Sequence, residues 1–219
     1  MSSALSANTI QIVVEPFDPS RHTGIGFDCG DQNLNTLANN DFSRLNIDSN
    51  TLMVLVTAGE DTTKKPILGY IWGMIDDTSD LPCTVLRTMA DALNERDLSA
   101  IIIHRMAVDI SLQTYNREDG SLEKGVGAGK FLLAAFATLL LKNHSADIIA
   151  LYSRDESRAF YAAIGFEGTS KNPNDRYMRV KPVTVSLFSD IAKTPLVVRS
   201  TELDALRKRH HQPTGWCAG

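Results

Sequence analysis

The order of apolar and polar positions along the chain predicts a domain that mixes helices and strands. Apolar, β-branched runs typical of strands occupy residues 10–15, 51–57, 67–75, 100–109, 147–151 and 176–180. Apolar residues at helical spacing occupy residues 31–44, 129–142 and 155–164. Because strands and helices do not alternate strictly, this order predicts an α+β fold with a mixed sheet.

Polar residues, glycine and proline mark the ends of these elements. Asp31 precedes the first helix and is suited to cap it, and Gly165 stands where the last helix should end. The polar residues between 57 and 67 predict a hairpin turn. Residues 76–97, interrupted by Pro82, are expected to be irregular or partly helical, and residues 111–124 form a polar loop.

Composition limits the classes of protein that fit. The chain has 219 residues, 43% hydrophobic and 22% charged, which suits one globular domain with an extension. No apolar run has the length of roughly 18 residues that a membrane helix needs, and the N-terminus has no signal-peptide pattern. The three cysteines are far apart, which favours reduced thiols in a cytoplasmic protein over a disulfide framework or a metal site.

Charge is distributed unevenly along the chain. The net charge is −4, but residues 171–219 carry +5 and the first 170 residues carry −9. A basic end on an acidic body can contact nucleic acid, or it can simply be a solvated tail. Both interpretations stay open at this stage.

The glycine-rich stretch KGVGAGK, residues 124–130, opens the longest predicted helix. Such a loop commonly binds a phosphate group with its backbone N–H groups. A nucleotide-triphosphate loop would need glycine at Lys124 and a serine or threonine at Phe131. A dinucleotide loop would need its third glycine at position 130, where the chain has lysine. Neither class of phosphate site fits.

The loop resembles instead the Gln/Arg-x-x-Gly-x-Gly/Ala motif of the GNAT superfamily of N-acetyltransferases, with Lys124 in place of glutamine or arginine. The preceding RMAVD, residues 105–109, resembles the end of the central strand of this superfamily, and FYAAIGF, residues 160–166, resembles its FYxxxGF element. The resemblance implies the GNAT fold: a mixed, mostly antiparallel central sheet flanked by helices, splayed between its central strands where acetyl-CoA binds. It implies a domain over residues 1–183, followed by a basic C-terminal extension over residues 184–219.

Further motifs resemble one subgroup, the acetyltransferase toxins of bacterial toxin–antitoxin systems. They are FDCG at residues 27–30, followed by Leu34 and Asn35, and LGY at residues 68–70. One departure is a longer connection before the glycine loop, which includes residues 115–120. Nothing in its sequence assigns a role to this insertion.

The resemblance implies a set of site residues for acetyl-CoA. The glycine loop would hold the pyrophosphate, and the end of the central strand would pair with the pantetheine amides. These candidate acetyl-CoA contacts are Met106, Ala107, Val108, Lys124, Gly125, Val126, Gly127, Ala128, Gly129 and Lys130. Lys130 can equally be an exposed residue of the first helical turn.

Two residues are candidates for proton transfer. The resemblance implies that Tyr161 is the general acid that protonates the departing thiolate, although it can also be a packing residue. His104 is a candidate general base or a structural histidine, and strict strand alternation would place it on the same face as Met106 and Val108.

Three functions remain open from the sequence. The first is acetylation of the α-amine of an aminoacyl-tRNA, which would inhibit translation. The second is acetylation of a protein amine or a small-molecule amine, and the third is a binding module without catalysis. For a toxin, the resemblance implies a small ribbon–helix–helix antitoxin as partner and a homodimer as assembly.

Overall fold

The structure is a computed structural model that describes residues 9–42, 52–59, 64–77, 99–113, 115–116, 122–123, 127–143, 145–168, 177–180, 191–193 and 196–199. These residues contain twelve strands. The strands are β1 (Thr9–Pro16), β2 (His22–Thr23), β3 (Leu52–Thr57), β4 (Lys65–Pro66), β5 (Gly69–Asp77), β6 (Ser99–Val108), β7 (Tyr115–Asn116), β8 (Leu122–Glu123), β9 (Ile148–Tyr152), β10 (Glu167–Gly168), β11 (Tyr177–Val180) and β12 (Leu196–Arg199). Residues 60–63 of the predicted hairpin turn and residues 78–97 of the predicted irregular segment lie outside the described residues, and β4 occupies the end of that turn.

Besides a 3-10 turn at Ile110–Leu112 and helical residues 191–193, the described residues contain three α-helices. They are α1 (Gln32–Thr36), which continues as a π-helical turn (Leu37–Asp41), α2 (Ala128–Asn143) and α3 (Asp155–Ala163). Asp31 caps α1 as predicted, because its carboxylate accepts the N–H groups of Asn33 and Leu34. Gly165 ends the α3 segment with φ of +102°, which is also as predicted.

Eight strands form one sheet in the order β10-β11-β9-β6-β5-β3-β1-β12. Neighbouring strands are antiparallel except β6 and β9, which run parallel. The connection between these two parallel strands contains α2, as a parallel crossover requires. The predicted α+β class and the mixed, mostly antiparallel sheet are confirmed.

The two faces of the sheet are covered by different helices. The α2 face buries Ile71, Ile101 and Ile103 against α2 and α3 in a single apolar cluster. The α1 face buries Val54 and Tyr70 in a second cluster, to which α1 contributes Leu34 and the π-helical turn contributes Leu37. Strand alternation accounts for the division, because successive side chains point to opposite faces.

The predicted domain boundary at residue 183 is too early. Residues 196–199 form β12, which pairs antiparallel with β1, with Val198 opposite Ile10. Val198 is 2% exposed and belongs to the α2-face cluster. The boundary was taken from the extent of the GNAT resemblance, whereas the apolar run Leu196–Val198, beyond that extent, pairs with β1.

Within the described part of the chain, no helix combines the length and apolarity needed to cross a membrane. The same residues contain no group of three or more His, Cys, Asp or Glu side chains placed to hold a metal ion.

Candidate active site

The central strands β6 and β9 separate at their C-terminal ends. Their parallel register runs from Ala100 opposite Ile148 to Ile103 opposite Leu151 and then stops. Strand β9 ends one residue later, whereas β6 continues to Val108. The edge of β6 from His104 to Val108 that faces β9 is therefore open, which confirms the predicted splay of the sheet.

Backbone hydrogen bonds show which polar groups face this opening. The N–H of Asp109 donates to the C=O of Leu68, on the β5 side of β6. Because successive N–H groups of an extended strand point to opposite edges, the N–H of Val108 points into the opening. The C=O of Val108 accepts a hydrogen bond of 2.5 Å from Nε2 of Gln113, a contact that no motif in the sequence indicated.

The described part of the glycine loop leads directly into α2. Gly127 has φ of +78°, a left-handed conformation that glycine adopts at no steric cost, and its C=O accepts the N–H of Phe131. The first N–H groups of α2, on Ala128, Gly129 and Lys130, come before any intrahelical partner is available. Lys130 is exposed in the first turn of α2, which agrees with the second of the two interpretations given for it. Lys124, Gly125 and Val126 lie outside the described residues.

Gly129 brings α2 close to both β6 and α3. A methyl group at this position would lie 3.2 Å from the Phe160 ring and 3.8 Å from the Val108 side chain. The N-terminus of α2 therefore meets the open end of β6 and the helix that carries Tyr161. Three predicted parts of the site, separate in sequence, converge here.

Tyr161 lies on the buried side of α3. Its side chain is 7% exposed, and the rings of Phe160 and Phe166 lie 5.1 and 5.6 Å from its own. Burial raises the pKa of Tyr161 to about 12, since the phenolate would lose its hydration among apolar groups. The hydroxyl group therefore keeps its proton at neutral pH.

The predicted face of His104 is wrong. The pairing of β5 with β6 shifts between Trp72, opposite Arg105, and Gly73, opposite Ile103, so that His104 is the extra residue of a β-bulge. Its ring is exposed and lies 5.2 Å from the Trp72 ring, on the α1 face. Met106 and Val108 pack on the α2 face. Strict alternation does not hold across a bulge.

An ion pair that the sequence did not predict lies near the same opening. Asp31 accepts a hydrogen bond from the guanidinium group of Arg154, which lies between β9 and α3. Asp31 was predicted only as a helix cap. No motif marks Arg154, because the two residues are 123 positions apart.

Solved structures of other proteins share this architecture. No protein-family model and no curated protein sequence matches the chain. A mutant of the toxin AtaT, bound to acetyl-CoA and to the C-terminus of the antitoxin AtaR, superposes with a TM-score of 0.60 at 16% identity. The match covers 81% of this chain and 98% of that chain. The chain has the GNAT acetyltransferase fold.

Two further structures share this fold with the chain. A mutant of KacT matches with a TM-score of 0.57 at 21% identity, over 81% of this chain and 98% of that chain. AtaT complexed with acetyl-methionyl-tRNAfMet matches with a TM-score of 0.56 at 18% identity, over 81% of this chain and 99% of that chain. The GNAT fold thus accounts for the splayed strands and for the helix that begins beside them.

Proposed function

We propose that the protein is an acetyl-CoA-dependent N-acetyltransferase that transfers an acetyl group to a primary amine. The observation that carries the proposal is the convergence of the open end of β6, the N-terminus of α2 and Tyr161 of α3. The GNAT fold supports it, because AtaT shares this fold and has been solved with acetyl-CoA.

The glycine loop is proposed to hold the pyrophosphate of acetyl-CoA. The first N–H groups of α2 and the positive end of its dipole would face the phosphate oxygens. Gly127 lies at the turn, and no atom of the described residues other than its chain neighbours lies within 4 Å of an added methyl group, so a ligand can approach the backbone closely. The proposed contacts are Lys124, Gly125, Val126, Gly127, Ala128, Gly129 and Lys130.

The open edge of β6 is proposed to hold the pantetheine arm. Met106, Ala107 and Val108 would pair with its amide groups as an added strand pairs with a sheet edge. The N–H of Val108 would donate to the thioester carbonyl oxygen, where negative charge develops during transfer.

The chemistry needs one bond formed, one bond broken and two proton movements. The acceptor nitrogen attacks the thioester carbonyl carbon, so a C–N bond forms and the C–S bond breaks. Tyr161 gives its proton to the departing thiolate, and the proton released by the amine returns to the phenolate through solvent. Because burial raises the pKa of Tyr161, the phenol keeps its proton until negative charge develops on the sulfur as the C–S bond breaks.

For the acceptor, we propose the α-amino group of an aminoacyl-tRNA. The structure of AtaT with acetyl-methionyl-tRNAfMet supports this class of acceptor, as does the charge of +5 on residues 171–219. A tRNA substrate would place the reaction in the cytoplasm. The alternative acceptor is a protein amine or a small-molecule amine, which is favoured by the charge of −9 on the first 170 residues.

Labelled acetyl-CoA tests the reaction and the acceptor together. Wild type and Tyr161→Phe are incubated with charged tRNA, uncharged tRNA, a peptide with a free amine and a small polyamine. We expect label on charged tRNA alone, and a loss of kcat of roughly 10² to 10⁴-fold in the variant, with unchanged acetyl-CoA affinity. Label only on the peptide or the polyamine would establish the alternative acceptor, and label on none of the four would contradict the transferase proposal.

The proposal extends to a toxin role with a protein partner. Expression of wild type should arrest growth, and expression of Tyr161→Phe should not. We propose a small ribbon–helix–helix antitoxin as the partner and a homodimer as the assembly. Co-expression with a small neighbouring gene product should restore growth, and the mass of the purified protein by light scattering tests the dimer.

His104 is a second candidate for proton transfer, as general base for the acceptor ammonium. Its position on the α1 face, opposite the glycine loop and α2, supports an approach to the acceptor and not to the donor. His104→Gln should then remove the acid limb of the pH–rate profile and leave acetyl-CoA affinity unchanged. A variant with an unaltered profile would assign His104 a structural role beside Trp72.

A further inference from the structure

The ion pair between Asp31 and Arg154 connects elements on the two sides of the open edge of β6. On one side, Oδ1 of Asp31 accepts the N–H groups of Asn33 and Leu34 at 2.9 and 3.0 Å, while Oδ2 accepts the hydrogen bond from Arg154. The Leu34 N–H and the Arg154 guanidinium group hold the pKa of Asp31 below its ordinary value. The carboxylate is therefore charged, and the pair is formed, at neutral pH.

The Asp31 side is anchored to the end of β6. The N–H of Ile110 donates to the C=O of Asp28 at 2.8 Å, and Nε2 of Gln113 donates to the C=O groups of both Cys29 and Val108. Residues 28–31 therefore keep a fixed position relative to Val108, whose N–H faces the opening.

The Arg154 side is the start of the helix that carries Tyr161. The C=O of Arg154 accepts both the N–H and the hydroxyl group of Ser157 at 3.1 Å, so its backbone belongs to the first turn of α3. Tyr161 follows Arg154 by seven residues, roughly two helical turns. Where the guanidinium group is held therefore affects where α3 begins and where the phenol lies.

We propose that the Asp31–Arg154 ion pair ties α3 to the end of β6 across the open edge, and thereby positions Tyr161 against the reacting thioester. Both are positioning residues in this proposal, which rests on the transferase function proposed above. Without the pair, α3 keeps its packing on the α2 face, but its N-terminal turn moves relative to Val108.

A second ion pair with similarly exposed side chains serves as a control, because it shows the effect of ordinary stabilisation alone. The side chains of Arg154 and Asp31 are 54% and 24% exposed, and those of Arg21 and Glu15, joined at 3.1 Å, are 55% and 20% exposed. Exposed ion pairs contribute little to stability. If neither pair had a further role, loss of either would have the same small effect.

The test compares variants that remove one interaction at a time. Asp31→Asn keeps an Oδ1 that caps α1 but presents an amide N–H group to the guanidinium group. Arg154→Gln removes the pair from the other side, Arg154→Lys retains a positive charge, and Arg21→Gln is the matched control. We expect kcat to fall at least 10-fold in Asp31→Asn and Arg154→Gln, with acetyl-CoA affinity within 2-fold of wild type. Arg154→Lys should recover part of kcat, and Arg21→Gln should match wild type.

Hydrogen exchange provides a readout that does not depend on activity. The amides of residues 155–163 should exchange faster in Asp31→Asn and Arg154→Gln than in wild type or Arg21→Gln. If wild type transfers no acetyl group, the proposed transferase function is wrong. Hydrogen exchange would still test whether the Asp31–Arg154 ion pair holds α3 in place.

Three outcomes would contradict the proposal that the Asp31–Arg154 ion pair positions Tyr161. They are unchanged exchange in α3, an equal effect of Arg21→Gln, and a raised KM for the acceptor with unchanged kcat. The last would mean that the pair contacts the acceptor and does not position Tyr161.

Discussion

At the scale of single residues, burial determines the chemistry available to Tyr161. The FYxxxGF motif indicated this residue, and the structure adds that its ring lies between those of Phe160 and Phe166. This apolar surrounding raises the pKa of the phenol to about 12. A proton donor that stays protonated at neutral pH suits the departure of a thiolate.

The raised pKa predicts a pH-dependent loss of stability. The unfolded chain releases this proton near the ordinary pKa of about 10, whereas the folded chain releases it at about 12. The free energy of unfolding should therefore fall as pH rises between these values, by about 2–3 kcal/mol from this residue. Urea unfolding of wild type and Tyr161→Phe at pH 9 to 12 measures it. Equal slopes in the two proteins would contradict the assignment.

At the scale of elements, a glycine decides how α2 packs on the sheet. Gly73 lies beside the bulge in the pairing of β5 with β6. A methyl group on Gly73 would come within 2.6 Å of the C=O of Ile102 and 2.7 Å of the Phe136 ring. Phe136, from the middle of α2, is 0% exposed and cannot move aside into solvent.

Gly73→Ala should therefore destabilise the protein by overpacking. Forcing a methyl group against a backbone carbonyl and a buried ring costs about 1–3 kcal/mol. For a chain of this size, the melting temperature should fall by roughly 2–4 °C for each kcal/mol. Differential scanning calorimetry measures the change. An unchanged melting temperature would contradict the close packing of β5 at Gly73 against Phe136 of α2.

The elements differ in how far the sequence could predict them. Strands, helices and the glycine loop depend on local spacing, so the buried strand β6 and the helix after Gly127 were predicted within a few residues. The bulge at His104 was not, because it depends on how β5 pairs with β6. That single shift reversed the predicted face of His104.

At the scale of the whole molecule, the contacts that join distant segments could not be read from motifs. Asp31 and Arg154 meet only because the fold brings the start of α1 and the start of α3 to the open end of β6. Likewise, residues 196–199 lie beyond the extent of the motifs and were assigned to the C-terminal extension, whereas pairing with β1 makes them the last strand of the sheet. Both cases depend on tertiary pairing between residues far apart in sequence.

The two valines of β12 provide a test of where the domain ends. Val198 is 2% exposed and lies against the α2-face cluster, whereas Val197, its neighbour, is 40% exposed. Val198→Asp would bury a carboxylate among apolar groups and should cost about 3 kcal/mol or more. Val197→Asp should stay within about 0.5 kcal/mol, because its side chain points the other way. Chemical unfolding of the two variants compares them directly. A domain that ended at residue 183 would tolerate both substitutions equally, whereas β12 as a sheet strand requires the asymmetry between them.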